Sequence, residues 1–346
     1  MDHPFFSIVV LVYKVETFLR QCLDSLLNQI FTDFEVIVVD DGSPDRCPLI
    51  CDEYAAKDSR FVVIHQENGG IAKARKAAAA AVRGRFMGAV DGDDWVEPDY
   101  LAEAYDKLSA YDADILQFDT YYNLPKEVRL GTFLLPEGCF DTIRFNEFIL
   151  GPYRQPNMSR HGIVGSSMCI KFIRSKLLVP EILALEDDFI FGEDAACVFL
   201  CLAKSKSFCY HKKPLYHYRR RPGSSTHRYD HSGMEKNSRL WQHIAGRLAE
   251  LGRPDLFRFA DVVYLRLLLL HIFMLYAYSG YGIDKRGEIR SILRHRTTCT
   301  ALSSFSVRSA KIRTSLLILM LKLKMPPMYA LVKPNLPEDG LFVRKR

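Results

Sequence analysis

Three carboxylates fall within four residues at Asp91-Gly92-Asp93-Asp94, directly after the apolar run Arg85-Phe86-Met87-Gly88-Ala89-Val90 and just before Trp95. Like charges this close repel one another, so a fold tolerates them either fully solvated or with a cation between them. The apolar run reads as a buried strand. That places the acids at its carboxyl end, the edge where open parallel α/β sheets bind ligands. Hard oxygen ligands suit Mg²⁺ or Mn²⁺, ions that usually arrive with a phosphate-bearing substrate. The competing reading is an acidic turn opening a helix, with Asp93 or Asp94 as N-cap and Pro98 in the first turn. A second acidic strand end, Glu35-Val36-Ile37-Val38-Val39 running into Asp40-Asp41-Gly42-Ser43, weighs against that reading. Parallel strands put both acidic ends on one edge, which looks like a site.

The elements that must position these acids follow from the hydrophobic pattern. Phe6 to Val12 is a β-branched apolar strand, and Phe18, Leu19, Cys22, Leu23, Leu26 and Leu27 share one face of a helix over 16–30. After the second strand comes a helix carrying Cys47, Ile50, Cys51 and Tyr54, then a strand over 61–64 and an alanine-rich helix over 71–82. Apolar strands without alternation imply a parallel sheet covered on both faces, so the fold class is α/β, Rossmann-like, with helices flanking a mostly parallel sheet. A helix over 99–108 and a strand over 114–118 continue the pattern. Residues 121–160, with Pro125, Pro136, Pro152 and Pro156, read as an irregular acceptor-side insertion or lid. The chain has neither a P-loop nor a Gly-x-Gly-x-x-Gly turn. Phosphate would therefore be held by a metal and by basic side chains, for which Lys73, Arg75 and Lys76 on the alanine helix are candidates; the alternative for these three is a solvated helix face.

A chain of 346 residues suggests about two domains. Nine cysteines without regular spacing argue against a disulfide framework and for a reducing compartment. Cys47 with Cys51, and Cys197 with Cys201, read as buried helix residues rather than metal ligands. Met1-Asp2-His3-Pro4 has no basic leader character, so no signal peptide is expected. The net charge of +6 is mild and gathers late, in Arg219-Arg220-Arg221, in 311–324 and in Arg344-Lys345-Arg346. That favours an anionic partner for the C-terminal part, with no nucleic acid expected.

The ordered series Val10-Leu11-Val12-Tyr13, Val39-Asp40-Asp41-Gly42-Ser43, Gln66-Glu67-Asn68-Gly69-Gly70, Ala74-Arg75 and Val90-Asp91-Gly92-Asp93-Asp94-Trp95 resembles family 2 glycosyltransferases, inverting nucleotide-sugar-dependent enzymes of GT-A fold. The resemblance covers roughly residues 5–225. It implies that Val12 and Tyr13 flank the nucleotide, that Asp40 and Asp41 bond its base or ribose, and that Arg75 supports base or diphosphate. Asp91 and Asp93 would form the Asp-x-Asp motif toward ribose and metal, with Asp94 competing for the metal. Lys14, Lys76 and Ala78 stand where the family usually has Asn, Asn and Gly.

Ser167 to Arg174 resembles the family segment before the catalytic helix, and Phe191-Gly192-Glu193-Asp194 opens that helix. Alone, such acids complement a helix dipole and cap it; the resemblance makes Asp194 the general base, with Glu193 orienting it or the acceptor. Glu186, Asp187 and Asp188 read as a solvated loop. Leu215 to Thr226 resembles the end of the catalytic domain, where Arg221 and Ser224 would clamp the diphosphate. His217 or His227 is a further metal candidate, against the plainer reading of a packed histidine.

The expected organisation is a GT-A domain over 1–228 and an α-helical region over 229–346. In the latter, 262–278 reads as a buried helix, and 316–323 with basic flanks either as an interfacial helix or as one packed on the catalytic domain with snorkelling lysines. The resemblance implies a Mg²⁺- or Mn²⁺-dependent transferase of hexosyl or N-acetylhexosaminyl groups from a nucleotide sugar, UDP foremost. The acceptor would be a glycan or lipid-linked molecule in cell-surface polysaccharide synthesis. The expected location is cytoplasmic, with room for peripheral attachment at the inner face of the plasma membrane and for a homodimer. Two rivals stand beside this: a nucleotidyltransferase, and a degenerate, non-catalytic glycan-binding or scaffold protein.

Overall fold

The computed structural model describes residues 3–133, 135–150, 164, 166–189, 192–221, 229–278 and 283–303. The chain divides into two compact units, one formed by 1–145 and 164–221, the other by 146–163 and 222–346. The division falls at 221/222 where the sequence suggested 228/229, and 146–163 belongs with the C-terminal residues. A segment that leaves one unit and returns has no composition signal.

In the first unit β1 (Phe6–Val12), β2 (Phe34–Asp40), β3 (Phe61–His65) and β4 (Phe86–Asp91) are parallel, with β1 central between β2 and β4. Their register aligns Val12 with Asp40 and Leu11 with Asp91, so the acidic ends share one edge. Helices α1 (Glu16–Leu27), α2 (Cys47–Lys57) and α3 (Ile71–Ala81) connect them, close to the expected spans. Every residue of β2 is buried, as covering on both faces requires. Cys47 and Cys51 are buried on α2.

After β5 (Trp95–Val96) and α4 (Tyr100–Tyr111), β6 spans Ile115–Leu124 and turns through Pro125-Lys126 into β7 (Glu127–Gly131). β8 (Gly138–Phe140), β9 (Lys171–Arg174), α5 (Ser175–Leu183), α6 (Glu193–Lys204) and β10 (Phe208–Arg219) complete the unit. The sheet order is β3-β2-β1-β4-β9-β6-β10-β5, with β9 antiparallel to both its neighbours and β10 parallel to β6. The architecture is thus α/β with a parallel-dominated sheet between helices.

Two expectations change here. Of the stretch read as irregular, 121–131 is a hairpin: a short turn joins Tyr121-Tyr122-Asn123-Leu124 to Glu127-Val128-Arg129-Leu130, and the tertiary ladder to β10 extends β6 beyond its apolar start. Residues 151–160 of that stretch lie outside the described residues. The cysteines are not all free, because the antiparallel pairing of β8 with β10 sets Cys139 opposite Cys209 and the two form a disulfide. Sequence spacing carries no trace of that cross-strand pair.

The second unit holds α7 (Gly233–Glu250), α8 (Phe257–Tyr278), α9 (Lys285–Arg294) and α10 (Arg296–Ser303). Leu268, Ile272 and Leu275 of α8 pack with Ile289, Ile292 and Leu293 of α9 and Ala301 of α10. Among the described residues no helix is long and apolar enough to cross a membrane. The basic segment around 316–323 lies outside them.

A polar clasp sets how β4 enters the sheet. Ser7 Oγ donates to Glu35 Oε1 (2.6 Å) and accepts the Gly84 N–H (2.8 Å), while Arg83 Nε donates to Glu35 Oε2 (2.8 Å). A Cβ at Gly84 would lie 2.5 Å from the Ser7 backbone nitrogen, which cannot move without breaking β1. Gly84→Ala should therefore lower unfolding free energy by about 1–3 kcal/mol, measured by urea titration; an unchanged midpoint would refute the clasp.

Candidate active site

The acidic turn begins where β4 stops. Asp94 is 1% exposed and fully committed. Its Oδ2 accepts the Tyr216 hydroxyl (2.6 Å), its Oδ1 accepts the Arg219 N–H (2.7 Å), and Tyr216 Oη in turn accepts the Asp91 N–H (3.2 Å). Asp93 is presented differently. Its carboxylate keeps partial exposure and meets Arg221 Nε at 2.6 Å, while its carbonyl accepts Arg219 Nε–H at 2.8 Å. Sequence left Asp93 and Asp94 equivalent as metal candidates. Among the described residues the hydrogen bonds separate them, because Asp94 engages both carboxylate oxygens and Asp93 only one.

Planar groups brace this turn from β10. The Arg219 guanidinium lies over Trp95 (4.4 Å) and Phe18 (4.8 Å), and His217 stacks between Trp95 (4.6 Å) and Tyr121 (4.8 Å). His217 Nε2 pairs with Glu97 (2.7 Å) and Nδ1 with the Asn123 amide (3.2 Å), so the network fixes the Nε2–H tautomer. With both nitrogens engaged His217 has no lone pair to offer a metal, and the packed reading replaces the ligand one. Ser224 and His227 lie outside the described residues.

At the neighbouring strand ends Val12 is buried and its carbonyl accepts the Asp41 N–H (3.0 Å). Tyr13 is 43% exposed at the edge. Asp40 accepts the Ser43 N–H (3.1 Å) and contacts His65 Nδ1 (3.3 Å). Asp41 binds the loop after β3 through Gln66 Nε2 (2.7 Å), Gly69 N–H (2.8 Å) and Gly70 N–H (2.9 Å). Asp40 and Asp41 thus shape the loop that faces the edge, and Tyr13 is the most open of the four. Lys14 takes a left-handed conformation (φ 54°), one that Asn adopts more readily than Lys.

The third group gathers from α3 and α6. Gly192, at φ 80°, supplies the left-handed turn that starts α6, so Glu193 and Asp194 fall in its first turn. The Arg75 guanidinium, 4% exposed, donates to Glu193 Oε1 at 3.1 Å, and both partners are buried. Arg75 is therefore turned toward the acid pair, and its Nε has no partner among the described residues. Asp194 stays partly exposed, and its Oδ1 accepts the Ala195 N–H (2.6 Å). Lys76 pairs with Asp187 (2.6 Å), which removes it from phosphate binding in this arrangement.

Crowding shows in the acids' affinity for protons. Burial and Asp93 push Asp91 up to about 6, opposed by Arg75. Burial and Asp194 push Glu193 up to about 7, again opposed by Arg75. Burial raises Asp194, against the charge of Arg75, the Ala195 N–H and Lys171. Lys171, Tyr216 and Arg219 are site-building residues that motif reading missed. A lone Lys within Cys169-Ile170-Lys171-Phe172-Ile173 was a usable signal; Tyr216 gave none.

A family model described as Glycosyl transferase family 2 matches residues 7–177. EpsH of Bacillus subtilis, assigned as a glycosyltransferase, is 32% identical over 356 aligned positions, covering 96% of this chain and 95% of that protein. The minor teichoic acid biosynthesis protein GgaB of the same organism is 30% identical over 64% of this chain, which spans 23% of GgaB. Among solved structures, S. aureus TarS 1–349 in complex with UDP-GlcNAc matches at a TM-score of 0.64 and 19% identity, over 94% of this chain and 90% of that one. That likeness shows the fold.

The raised acids make the metal-free protein pH-sensitive. An acid whose folded pKa exceeds its unfolded value binds more protons when folded, so stability falls as pH rises between the two values and the loss is complete above the folded one. For Asp91 that window runs from about 4, the ordinary unfolded value, to about 6. Asp91→Asn should thus be more stable than wild type at pH 8 without divalent cations, by on the order of 1–2 kcal/mol, with the gap shrinking toward pH 4. Urea unfolding at both pH values checks this. A gap independent of pH would contradict it.

Proposed function

The chain belongs to glycosyl transferase family 2, and from that premise we propose that it is an inverting enzyme of cell-surface polysaccharide synthesis. It moves a hexosyl or N-acetylhexosaminyl group from a nucleoside-diphosphate sugar, UDP foremost, to a hydroxyl of a glycan or lipid-linked acceptor. The observation that carries this is the two-sided site: Asp91 and Asp93 at the end of β4, and Glu193 and Asp194 at the start of α6, with buried Arg75 between them. GgaB, a minor teichoic acid biosynthesis protein, supports the cell-surface polymer context, and UDP-GlcNAc bound in TarS names the first donor to test.

Asp93, with Asp91 behind it, fits a hard divalent cation. The donors are carboxylate oxygens, Asp93 keeps partial exposure, and Asp91 carries charge that its surroundings disfavour. Bound there, Mg²⁺ or Mn²⁺ would neutralise diphosphate charge. The remaining work falls to the chain. Tyr13 flanks the base, and the loop held by Asp41 shapes its pocket. Asp194 takes the acceptor hydroxyl proton as that oxygen bonds to the anomeric carbon, and the bond from carbon to diphosphate oxygen breaks on the opposite face. Glu193, tied to Arg75, orients the acceptor side. Arg221, which bonds Asp93, would meet the departing diphosphate. The basic residues from Lys311 to Lys324 support a membrane-near acceptor and attachment at the inner face of the plasma membrane.

Calorimetric titration of UDP with Mn²⁺ and then with EDTA, in wild type and Asp93→Ala, tests the donor side. Binding that needs the metal and vanishes in the variant is expected; binding indifferent to both would sink the reading. On the acceptor side, Asp194→Asn should still bind UDP while transfer or hydrolysis of UDP-GlcNAc falls by about 10²–10⁴-fold. Undiminished turnover would take the base role from Asp194.

A further inference from the structure

His65 meets a carboxylate at each ring nitrogen. It closes β3, opposite Asp40 in the parallel register with β2. Its Nδ1 stands 3.3 Å from Asp40 Oδ2, and its Nε2 stands 3.0 Å from Asp52 Oδ1 on α2. Carboxylates only accept, and a neutral imidazole has one N–H, so neither tautomer satisfies both contacts. The imidazolium does, with a donor on each side. The two acids differ in what they lose when that proton leaves: the Asp52 side chain is 63% exposed and water replaces the bond, whereas that of Asp40 is 3% exposed. The bond to Asp52 raises His65 from its ordinary value, partial burial opposes the rise, and the bond to Asp40 adds to it. The charges of both acids also reach the Cys51 thiol on α2, which burial pushes up to about 12 and keeps neutral.

Asp40 connects this clamp to the donor edge. Its Oδ1 accepts the Ser43 N–H (3.1 Å), its carbonyl accepts the Gln66 N–H (3.1 Å), and Gln66 passes the tie to Asp41 through Nε2 (2.7 Å). Asp41 in turn holds the Gly69 and Gly70 N–H groups. The loop beside the nucleotide edge thus starts from the residue after His65. We propose that His65 is a positioning residue for donor binding: as an imidazolium it clamps Asp40 to α2 and holds the loop after β3 in the form that takes a nucleoside-diphosphate sugar. The proposal rests on the reading of Asp40 and Asp41 as nucleotide-side residues. A histidine held as a cation by its site gives up that contribution as pH rises through its folded midpoint. Donor affinity is therefore full below the His65 midpoint and reduced above it.

Histidine ring-carbon NMR of the full-length protein with Mg²⁺, with His65 assigned as the signal missing in His65→Gln, reads its titration directly. The probe is UDP-GlcNAc without acceptor, whose diphosphate keeps the same charge across the neutral range. Binding it should raise the His65 midpoint by about half to one pH unit, because coupling between proton and ligand is reciprocal. Calorimetry should show the matching change, a Kd weaker by roughly three- to tenfold above the midpoint than below it. Asp52→Asn should lower the His65 midpoint and carry the break in affinity down with it, which separates His65 from Asp91 and Glu193, acids that titrate in the same range. A His65 midpoint unmoved by the donor, or an affinity break that stays in place in Asp52→Asn, overturns the proposal and leaves the donor site standing. Should His65→Gln not fold, the His65 signal is the one whose midpoint falls in Asp52→Asn, and a spectrum in which none falls overturns the proposal. Failure of both UDP-GlcNAc and UDP to bind at any pH removes the donor reading and with it the role given to His65.

Discussion

Five carboxylates share a small volume at one edge of the sheet, and the fold is arranged around the problem of keeping them there. Asp91, Asp93 and Asp94 gather at the end of β4, Glu193 and Asp194 on α6; burial penalises the charge on Asp91, Asp94, Glu193 and Asp194, and neighbouring acids penalise it further on Asp91, Asp94 and Glu193. Arg75 answers from the middle. Its charge opposes proton uptake at Asp91, Glu193 and Asp194 at once, so one buried guanidinium couples the donor-side acids to the acceptor-side acids. Removing a partner from such a set leaves an uncompensated buried charge, a larger loss than any single contact suggests.

The crowding is tolerable because the three acids of β4 are not equivalent. Asp94 spends both oxygens on Tyr216 and Arg219, and through them pins the turn to β10. The Phe18, Arg219, Trp95, His217 and Tyr121 stack holds the same junction from the side. With the turn fixed by one acid, the next, Asp93, can be left facing outward. A presented carboxylate needs a rigid support to be precise, and here the support is its own sequence neighbour.

Much of this was legible in the chain. Strand ends Asp40 and Asp91 could be put on one edge from apolar runs and the rule for parallel sheets, and the register agrees. What could not be read is what depends on who sits opposite whom. The Cys139–Cys209 bond, the ladder to β10 that extends β6, and the return of 146–163 to the second unit come from pairings far apart in sequence. Side-chain direction was equally hidden. Arg75 looked like a phosphate ligand because a helical Arg near a strand end commonly is one, and its turn toward Glu193 depends on α6 beginning beside α3. His217 was ambiguous for the opposite reason: Tyr216 and Tyr218 on either side signal packing, but whether a ring nitrogen is left for a ligand is decided by Glu97 and Asn123.

Adjacent acids in one helical turn ordinarily have similar chemistry; here their surroundings push them apart. Glu193 is buried, bonded to Arg75 and drawn up to about 7, while Asp194 keeps exposure and is opposed in its rise by Arg75, by the Ala195 N–H and by Lys171. Unequal environments around paired carboxyl groups are how one site assigns different roles to like residues. On that argument the group exposed to an incoming hydroxyl and surrounded by cations is the one suited to accept a proton repeatedly. The group locked to a guanidinium is suited to hold geometry. Gly192 sets where α6 begins, and in its first turn Glu193 is buried while Asp194 keeps partial exposure.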